Sequence, residues 1–310
     1  MKKTVFIDGA AGTTGLRIHE RLAEREDISL LILPEEKRKD TTARREALNS
    51  ADIAFLCLPD AAAIEAVSLI ENPNTVVIDT STAHRTSPAW EYGFPELTGR
   101  RARIAAAKRI ANPGCHASGF VALVAPLAEA GMLTADTPLS CFSLTGYSGG
   151  GKGMIAAYEA PDRDPLFAAP RQYGLTQSHK HLKEMQVITG IAAAPLFCPI
   201  VAPFYSGMEV TVPLARSQVK GNIADLLALY RGYYREGLVR VADAADEGGF
   251  LSAAAFSGRD DMEISVHGNE DRILLVARFD NLGKGASGSA IQNMNILLGL
   301  DEATGLCVSA

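Results

Sequence analysis

The chain has 310 residues, 47% of them hydrophobic, which is enough for two domains with sizeable cores. Its formal charge is −6 and its only basic cluster is Lys37–Lys39, which argues against a nucleic-acid-binding surface. No apolar run reaches the roughly 18 residues that a membrane-spanning helix needs. The N-terminal apolar stretch is too short for a signal peptide, so we expect a cytoplasmic protein.

Five cysteines occur at widely separated positions: Cys57, Cys115, Cys141, Cys198 and Cys307. An odd number without close pairs is typical neither of a disulfide framework nor of a zinc site, so we expect no bound metal. Three of the five lie in strand-like apolar runs and one lies near the C-terminus, where a cysteine usually acts as a small hydrophobic side chain. Cys115 has different surroundings.

The N-terminal third alternates between short apolar runs and helical patterns. The expected elements are strand 4–7, helix 14–25, strand 28–33, helix 41–49, strand 53–58, helix 60–70 and strand 75–79. This alternation predicts an α/β domain with a doubly wound, parallel sheet of the Rossmann type.

After about residue 116 the pattern changes to longer strand-like runs with few helices. We expect a helix over 115–130, kinked or shortened by Pro126, and further helices over 222–235 and 285–300. The expected strands are 138–145, 196–204, 208–214, 263–267 and 272–279. This order predicts a central α+β domain with a mostly antiparallel sheet.

A glycine-rich turn follows the first strand and opens the first helix. Its spacing, G-x-x-G-x-x-G, is a variant of the dinucleotide-binding fingerprint, in which glycines let the backbone approach a pyrophosphate at a helix N-terminus. An ordinary glycine turn is the alternative, but the position after the first strand favours nucleotide binding. The expected cofactor contacts are Gly9, Gly12, Thr13, Thr14 and Gly15.

A short basic run follows the second strand, where a dinucleotide-binding domain contacts the ribose. An NAD site would place an acidic residue there, whereas Lys37 and Arg38 can bind a 2′-phosphate. The run therefore favours NADP. Glu35 and Glu36 oppose this interpretation, and a solvated charged loop is the alternative.

Cys115 follows Asn112-Pro113-Gly114 and opens a predicted helix. At a helix start, the dipole and the unpaired N–H groups lower the pKa of a thiol and can hold an oxyanion. A buried structural cysteine would more naturally lie inside an apolar run. The pattern therefore predicts a nucleophile.

A cysteine nucleophile needs a proton partner. His116 is adjacent, but successive side chains on a helix point about 100° apart. In His179-Lys180-His181-Leu182-Lys183-Glu184, one imidazole can serve the thiol and the carboxylate can orient it. The alternative is a polar helix start capped by Ser178.

Three further loops can contact a ligand. The glycine-rich loop 145–152 can surround a substrate phosphate or the nicotinamide, or form a mobile turn. The segment 79–85 follows a sheet strand, and its arginine can clamp an anion or form a surface salt bridge. The segment 281–288 can pack closely against a cofactor or form a flexible connection. The candidate contacts are Tyr147, Ser148, Gly149, Arg85, Asn281 and Lys284.

Five motifs taken in order resemble the N-acetyl-gamma-glutamyl-phosphate reductase family, in its shorter form. They are GAAGTTG after the first strand, ANPGC, YSGGGK, H-x-H-x-x-E and N-x-x-KGASG. The resemblance covers essentially the whole chain, and ANPGC and KGASG are its most specific parts. The wider family includes aspartate-semialdehyde dehydrogenase and glyceraldehyde-3-phosphate dehydrogenase. Lys180 and Lys183 depart from the family's arginine and proline. The segment 81–85 reads Ser-Thr-Ala-His-Arg, where the family's longer members often read Ser-Ala-Asp-Phe-Arg.

The resemblance implies an NADP-dependent enzyme of arginine biosynthesis. N-acetylglutamyl 5-phosphate and NADPH would interconvert with N-acetylglutamate 5-semialdehyde, inorganic phosphate and NADP⁺. Cys115 matches the nucleophile that forms a thioester, and His181 is the favoured general acid/base, supported by His179 or Glu184. Asn112 and Arg85 are expected at the substrate.

The resemblance also implies a domain division and an assembly. Residues 1–116 and 285–310 would form the NADP-binding Rossmann domain, and residues 117–284 the catalytic and oligomerisation domain of a homodimer or homotetramer. The nearest alternatives are aspartate-semialdehyde dehydrogenase or another acyl-phosphate reductase. A nucleotide-binding regulator without catalysis is an alternative of a different class, and it would have an unreactive Cys115.

Overall fold

The computed structural model describes residues 2–243 and 245–309. The chain forms two compact units. Unit 1 comprises Met1–Pro95, Gly99–Pro113 and Ala286–Leu306, and unit 2 comprises Glu96–Thr98, Gly114–Gly285 and Cys307–Ala310. The boundaries expected from the sequence, after residues 116 and 284, differ from these by a few residues. The sequence also did not predict that Glu96–Thr98 belongs to unit 2.

Unit 1 contains a fully parallel sheet in the order β2-β1-β3-β4-β6-β5. Its strands are β1 (Lys3–Asp8), β2 (Ile28–Leu31), β3 (Ile53–Leu56), β4 (Val76–Asp79), β5 (Glu91–Tyr92) and β6 (Arg109–Ala111). Its helices are α1 (Thr13–Ala23), α2 (Thr41–Ser50), α3 (Asp60–Ser68), α4 (Arg100–Ala106) and α9 (Gly288–Leu297). The predicted Rossmann-type sheet is confirmed. The short β5 and β6 were not predicted.

Burial explains why the sequence pattern of unit 1 was informative. All four residues of β3 are buried, as expected for a central parallel strand covered on both faces. In α1, Ile18 and Leu22 lie one helical turn apart and are buried in the same apolar cluster as Val5 of β1. The C-terminal helix α9 contributes Ile291 and others to that cluster.

Unit 2 contains a mixed sheet in the order β11-β12-β13-β10-β7-β9-β8. Its strands are β7 (Ser140–Gly146), β8 (Arg171–Gln172), β9 (Leu196–Ala202), β10 (Met208–Ala215), β11 (Val239–Val241), β12 (Met262–Gly268) and β13 (Arg272–Phe279). The pairs β7–β9 and β11–β12 are parallel and the other neighbouring pairs are antiparallel, which confirms a mostly antiparallel sheet. The helices are α5 (Cys115–Glu129), α6 (Gly151–Glu159), α7 (His181–Thr189) and α8 (Ile223–Tyr233).

Helix α5 lies against this sheet and is buried along most of its length. At Gly119, a Cβ atom would lie 2.6 Å from Val210 Cγ2 of β10, so only glycine allows this close approach. Pro126 does not shorten the helix, because α5 continues through Pro126 to Glu129. Proline cannot donate to the carbonyl of Ala122 four residues earlier, and the Tyr234 hydroxyl donates to that oxygen at 2.7 Å instead.

Among the described residues, the helices are too short or too polar to span a bilayer.

Candidate active site

Cys115 is the first residue of α5, and Gly114 is its N-cap in an extended conformation. The cysteine is half-buried. The first turn of α5 contains no acidic residue, and the N-cap has no side chain that could compete for the N–H groups of that turn. These groups and the helix dipole therefore favour negative charge at the sulfur.

Two other cysteines show the opposite environment. Burial raises the pKa of the Cys57 thiol to about 12 and raises that of Cys141 even further. Thiols with such raised pKa values are almost fully protonated near neutral pH and are weak nucleophiles. The position at a helix start distinguishes Cys115 from both.

Glu184 holds the start of α5. It lies in the first turn of α7 and is almost fully buried, and its Oε1 accepts a hydrogen bond from the Gly114 N–H at 2.8 Å. The sequence led us to expect that Glu184 would orient a histidine. Through this contact the Glu184 carboxylate directly positions Gly114, the residue before Cys115.

The two predicted histidines lie together, and a third joins them. The ring centroids of His179 and His181 are 4.8 Å apart, and the His116 ring lies 5.6 and 5.5 Å from them. Phe197 of β9 packs against His116 and His179. Burial, and then the charge of Lys180, lower the pKa of His179. The neutral imidazole of His179 is therefore favoured near neutral pH.

His116 and Tyr173 were not among the predicted site residues. Burial, with a smaller contribution from His179, lowers the pKa of His116 to about 3. Its Nδ1 lies 2.7 Å from Ser143 Oγ of β7, and its Nε2 lies 2.6 Å from the Tyr173 hydroxyl. The sequence offers no signal for this contact, because Tyr173 lies in a segment without periodic pattern and Ser143 is 27 residues from His116.

The loop after β7 contacts the loop after β13. Asn281 is buried, and its Nδ2 donates to Ser148 Oγ at 3.0 Å while its Oδ1 accepts from the Gly207 N–H at 2.9 Å. Tyr147 instead stacks on Tyr158 at 4.8 Å. Gly149 is exposed and follows Ser148 in a single 3₁₀ turn. The structure thus joins a predicted cofactor contact, Asn281, to a predicted substrate contact, Ser148.

Lys284 forms a buried ion pair. Its Nζ donates to both carboxylate oxygens of Glu96 at 2.7 and 2.8 Å, and neither side chain is exposed. The next residue, Gly285, packs on Cys115, since a Cβ at this position would lie 2.9 Å from Cys115 Cβ. A role of Lys284 in cofactor binding stays a prediction. In the structure, Lys284 is paired with the buried carboxylate of Glu96.

In unit 1, the predicted dinucleotide turn has the shape that the fingerprint requires. Gly9 has a φ of +86°, and a side chain there would clash with the Cys57 carbonyl oxygen. A Cβ on Gly15 would lie 2.5 Å from the Gly9 carbonyl oxygen. Gly12 is the N-cap of α1, which begins with Thr13 and Thr14. The Thr13 hydroxyl is buried and has no hydrogen-bond partner among the described residues.

The predicted 2′-phosphate contacts lie at the surface. Lys37 ends a 3₁₀ turn that follows β2, and Arg38 is its C-cap. Both side chains are exposed, and the described part of the chain gives neither of them an ion pair. Their charges are therefore accessible to an anion.

Arg85 and Asn112, both predicted at the substrate, meet within unit 1. Arg85 is buried, and it donates from Nε to the Asn112 carbonyl at 2.9 Å and from a terminal nitrogen to the Thr80 carbonyl at 3.0 Å. The Asn112 side chain donates to the Ala286 carbonyl at 2.9 Å. These bonds hold the loops after β4 and β6 together. The described residues contain no group of three or more His, Cys, Asp or Glu side chains that could hold a metal ion.

Two family models match successive parts of the chain. Residues 4–107 match the semialdehyde dehydrogenase NAD-binding domain, and residues 115–281 match the semialdehyde dehydrogenase dimerisation domain. The first domain thus has a fold for a nicotinamide cofactor. The second begins at Cys115.

Curated relatives match over nearly the whole length. N-acetyl-gamma-glutamyl-phosphate reductase 2 of Nostoc sp. is 45% identical, covering 98% of this chain and 99% of its own. N-acetyl-gamma-glutamyl-phosphate reductase of Brucella suis is 47% identical, covering 96% of this chain and 100% of its own. The chain belongs to the N-acetyl-gamma-glutamyl-phosphate reductase family. The resemblance predicted from the five motifs is confirmed.

Solved structures outside the N-acetyl-gamma-glutamyl-phosphate reductase family share the fold. Aspartate semialdehyde dehydrogenase II of Vibrio cholerae, complexed with ASA, has a TM-score of 0.73 at 18% identity, over 96% of this chain and 99% of its own. Aspartate semialdehyde dehydrogenase of Candida albicans, with NADP, has a TM-score of 0.66 at 15% identity, over 96% and 99%. At such identities the similarity establishes the fold alone.

Proposed function

We propose that the chain catalyses the NADPH-dependent reduction of N-acetylglutamyl 5-phosphate to N-acetylglutamate 5-semialdehyde through a thioester on Cys115. One observation carries the proposal: in a member of this family, a half-buried cysteine opens a buried helix beside three clustered histidines. The names of the relatives supply the substrate.

The residues of the glycine turn fit a nicotinamide dinucleotide. The positive φ of Gly9 and the close approach at Gly15 bring bare backbone to the N-terminus of α1, where N–H groups can bind a pyrophosphate. The buried Thr13 hydroxyl is a further polar group for the same ligand. When bound, the cofactor supplies a hydride.

Lys37 and Arg38 support NADP over NAD. Their exposed charges follow β2 at the position where the ribose of a bound dinucleotide is expected. Replacing both with alanine should raise KM for NADPH about tenfold or more and leave KM for NADH nearly unchanged. Equal increases for both cofactors would reject the 2′-phosphate assignment.

The chemistry at Cys115 requires a thiolate and a stabilised oxyanion. The thiolate attacks the acyl carbon, a carbon–sulfur bond forms, and inorganic phosphate leaves with the electrons of the broken carbon–oxygen bond. The N–H groups of the first turn of α5 can stabilise both the thiolate and the oxyanion of the tetrahedral intermediate. After reduction, the thiohemiacetal on Cys115 releases the aldehyde and regenerates the thiolate.

The histidine cluster can move the protons. We assign His181 as the group that accepts the proton that Cys115 loses. The same imidazole then donates a proton to the oxygen of the thiohemiacetal and takes it back when the aldehyde forms. His181 is buried at the start of α7, and its backbone N–H donates to Nδ1 of His179 at 3.2 Å. His179, whose pKa is lowered by burial, supports it as a neutral base.

The sheet of unit 2 supports a homodimer. One face packs on helices such as α5, while the opposite face presents Phe142, Leu196 and Leu274 with exposed fractions of 43%, 67% and 41%. The half-buried Leu144 and Ile200, which are register partners on β7 and β9, lie on the same face one register step beyond Phe142. We propose that the same face of a second copy covers this apolar surface.

The substrate assignment is tested by running the reaction in the direction of acyl phosphate formation. Phosphate-dependent NADP⁺ reduction should be at least about a hundredfold faster, as kcat/KM, with N-acetylglutamate 5-semialdehyde than with aspartate semialdehyde. Faster turnover of aspartate semialdehyde would replace the proposal with the nearest alternative. A protein without turnover and with an unreactive Cys115 would instead be a nucleotide-binding regulator.

A further inference from the structure

A buried ion pair lies at the start of the glycine turn in unit 1. Asp8 is the last residue of β1 and directly precedes Gly9, and Arg44 lies near the start of α2. The two residues are 4% and 7% exposed. Arg44 donates to Asp8 Oδ2 from Nη2 at 2.9 Å and from Nε at 3.1 Å. The pair therefore connects β1 to α2 at the residue from which the turn starts.

The Asp8 carboxylate belongs to the same small region of backbone as the turn. The Cys57 N–H donates to the Asp8 carbonyl at 2.8 Å, and the Gly12 N–H donates to the Gly9 carbonyl at 3.0 Å. Asp8 and Gly9 are consecutive, so their Cα atoms are about 3.8 Å apart. A charge on Asp8 is therefore part of the electrostatic environment of the turn that, under the proposed function, binds a pyrophosphate.

Stability alone does not account for a buried ion pair in this place. Removing two charges from water is costly, and well-packed apolar side chains in their place often give an equally stable fold. Burial raises the pKa of Asp8, although the hydrogen bond and the charge of Arg44 oppose that shift. Arg44 is therefore the partner that compensates a negative charge buried beside the turn.

Two other titratable groups lie near the pair. Glu65 of α3 has its Oε2 3.6 Å from Arg44 Nη1, and its side chain is 51% exposed. Cys57, the first residue after β3, has a pKa that burial raises to about 12, so its thiol is neutral. The cluster of Asp8, Arg44 and Glu65 thus carries one positive and two negative charges. Without Arg44 it would present two negative charges to a ligand that is itself an anion.

We propose that Arg44 is a positioning residue for the nicotinamide dinucleotide. Its ion pair with Asp8 fixes the start of the glycine turn and cancels the buried negative charge there, so that the turn can accept a pyrophosphate. The inference rests on the proposed binding of a dinucleotide at this turn. NADPH and NADH share the pyrophosphate, so Arg44 acts on both cofactors alike, whereas Lys37 and Arg38 are proposed to contact the 2′-phosphate of NADPH.

The experiment measures the Kd of NADPH and of NADH by fluorescence titration at pH 8, and the free energy of unfolding by urea denaturation without cofactor. Arg44→Met leaves Asp8 unpaired and should raise both Kd values about tenfold or more, because the uncompensated charge repels the pyrophosphate. Arg45→Met is the matched control. Arg45 is the next residue of α2 and pairs with Glu71 at the surface, so both Kd values should stay unchanged.

Two further variants separate a role in binding from a role in stability alone. Asp8→Asn removes the negative charge, so it should bind both cofactors at least as tightly as the unmodified chain, even where it lowers the free energy of unfolding. The double variant Asp8→Asn/Arg44→Met should return both Kd values to within about threefold of the unmodified chain. A pair with a structural role alone would instead give weaker or unchanged binding in Arg44→Met and Asp8→Asn alike.

Unchanged Kd values for folded Arg44→Met would overturn the inference, as would a double variant that binds as weakly as Arg44→Met. If Arg44→Met does not fold, Asp8→Asn and the double variant decide, since a clear loss of affinity in either contradicts charge compensation. A rise in Kd for NADPH alone would also overturn it. An unmodified chain that binds neither cofactor would overturn the proposed function as well, so the two failures are distinguishable.

Discussion

The reactivity that we propose for Cys115 follows from its backbone position. It opens α5, Gly114 leaves the first-turn N–H groups without a capping side chain, and Gly285 packs directly on its Cβ. The Glu184 carboxylate accepts a hydrogen bond from the N–H of Gly114, the residue before Cys115. A serine in this place would keep the geometry, since it differs from cysteine by one atom, but its hydroxyl would not ionise at neutral pH.

We therefore expect Cys115→Ser to lower kcat by at least about a thousandfold while leaving the affinity for NADPH unchanged. Steady-state turnover and NADPH fluorescence titration measure the two quantities separately. Cys198→Ser, which changes a half-buried cysteine on β9, is the control and should keep full activity. Substantial turnover by Cys115→Ser would contradict the thioester mechanism.

Residues with a backbone signature could be predicted from the sequence, and residues recruited by tertiary contact could not. Cys115 and the glycine turn are marked by their place between a strand and a helix. His116 was set aside because adjacent helical side chains diverge, yet its ring is brought beside His179 and His181 by the fold. Lys284 lies in a family motif, but nothing near it in the chain indicates its ion pair with Glu96.

At the scale of elements, α5 depends on side chains supplied by α8 and the residues just after it. Tyr230 and Tyr234 donate to the Leu123 and Ala122 carbonyls at 2.6 and 2.7 Å. The second bond replaces the one that Pro126 cannot make. Local sequence rules predicted a kink or an earlier end at Pro126, because they do not include a donor to the Ala122 carbonyl that lies 112 residues away.

Tyr234→Phe should lower the free energy of unfolding by about 1–3 kcal/mol, because the Ala122 carbonyl loses its substitute donor in a buried site. Urea denaturation followed by circular dichroism measures the loss. In a Pro126→Ala background the helix regains its own N–H donor, so the same substitution should cost less than half as much. An equal cost in both backgrounds would show that the hydroxyl does not compensate for the proline.

The segment Asp280–Gly285 depends on a second long-range contact. Lys284→Met leaves the Glu96 carboxylate without its buried lysine, so we expect a loss of about 3–5 kcal/mol of unfolding free energy. Combining it with Glu96→Gln should recover part of this loss. If Lys284 serves the cofactor instead, the single variant would keep its stability and show a raised KM for NADPH in steady-state kinetics.

At the scale of the whole molecule, the sequence predicted both sheets and most of their strands. Long apolar runs and clear alternation gave β3, β7, β10 and β13 within a few residues. The pattern could not give the parallel pairing of β7 with β9, because strand order depends on contacts between distant segments. Nor could it show that Phe142, Leu196 and Leu274 lie on the same face of the sheet.

The outward face that carries Phe142, Leu196 and Leu274 is the surface through which we expect two copies to associate. Phe142 lies on this face between Thr211 of β10 and Cys198 of β9. If two copies associate through the same face, a carboxylate at this position would lose its hydration in the interface, which is costly. Phe142→Asp should therefore convert a dimer to a monomer at micromolar concentration, as measured by sedimentation velocity. Leu166→Asp is the matched control, because Leu166 is 68% exposed outside the sheet, and it should leave the mass unchanged. A dimer that survives Phe142→Asp would mean that the subunits associate through another surface.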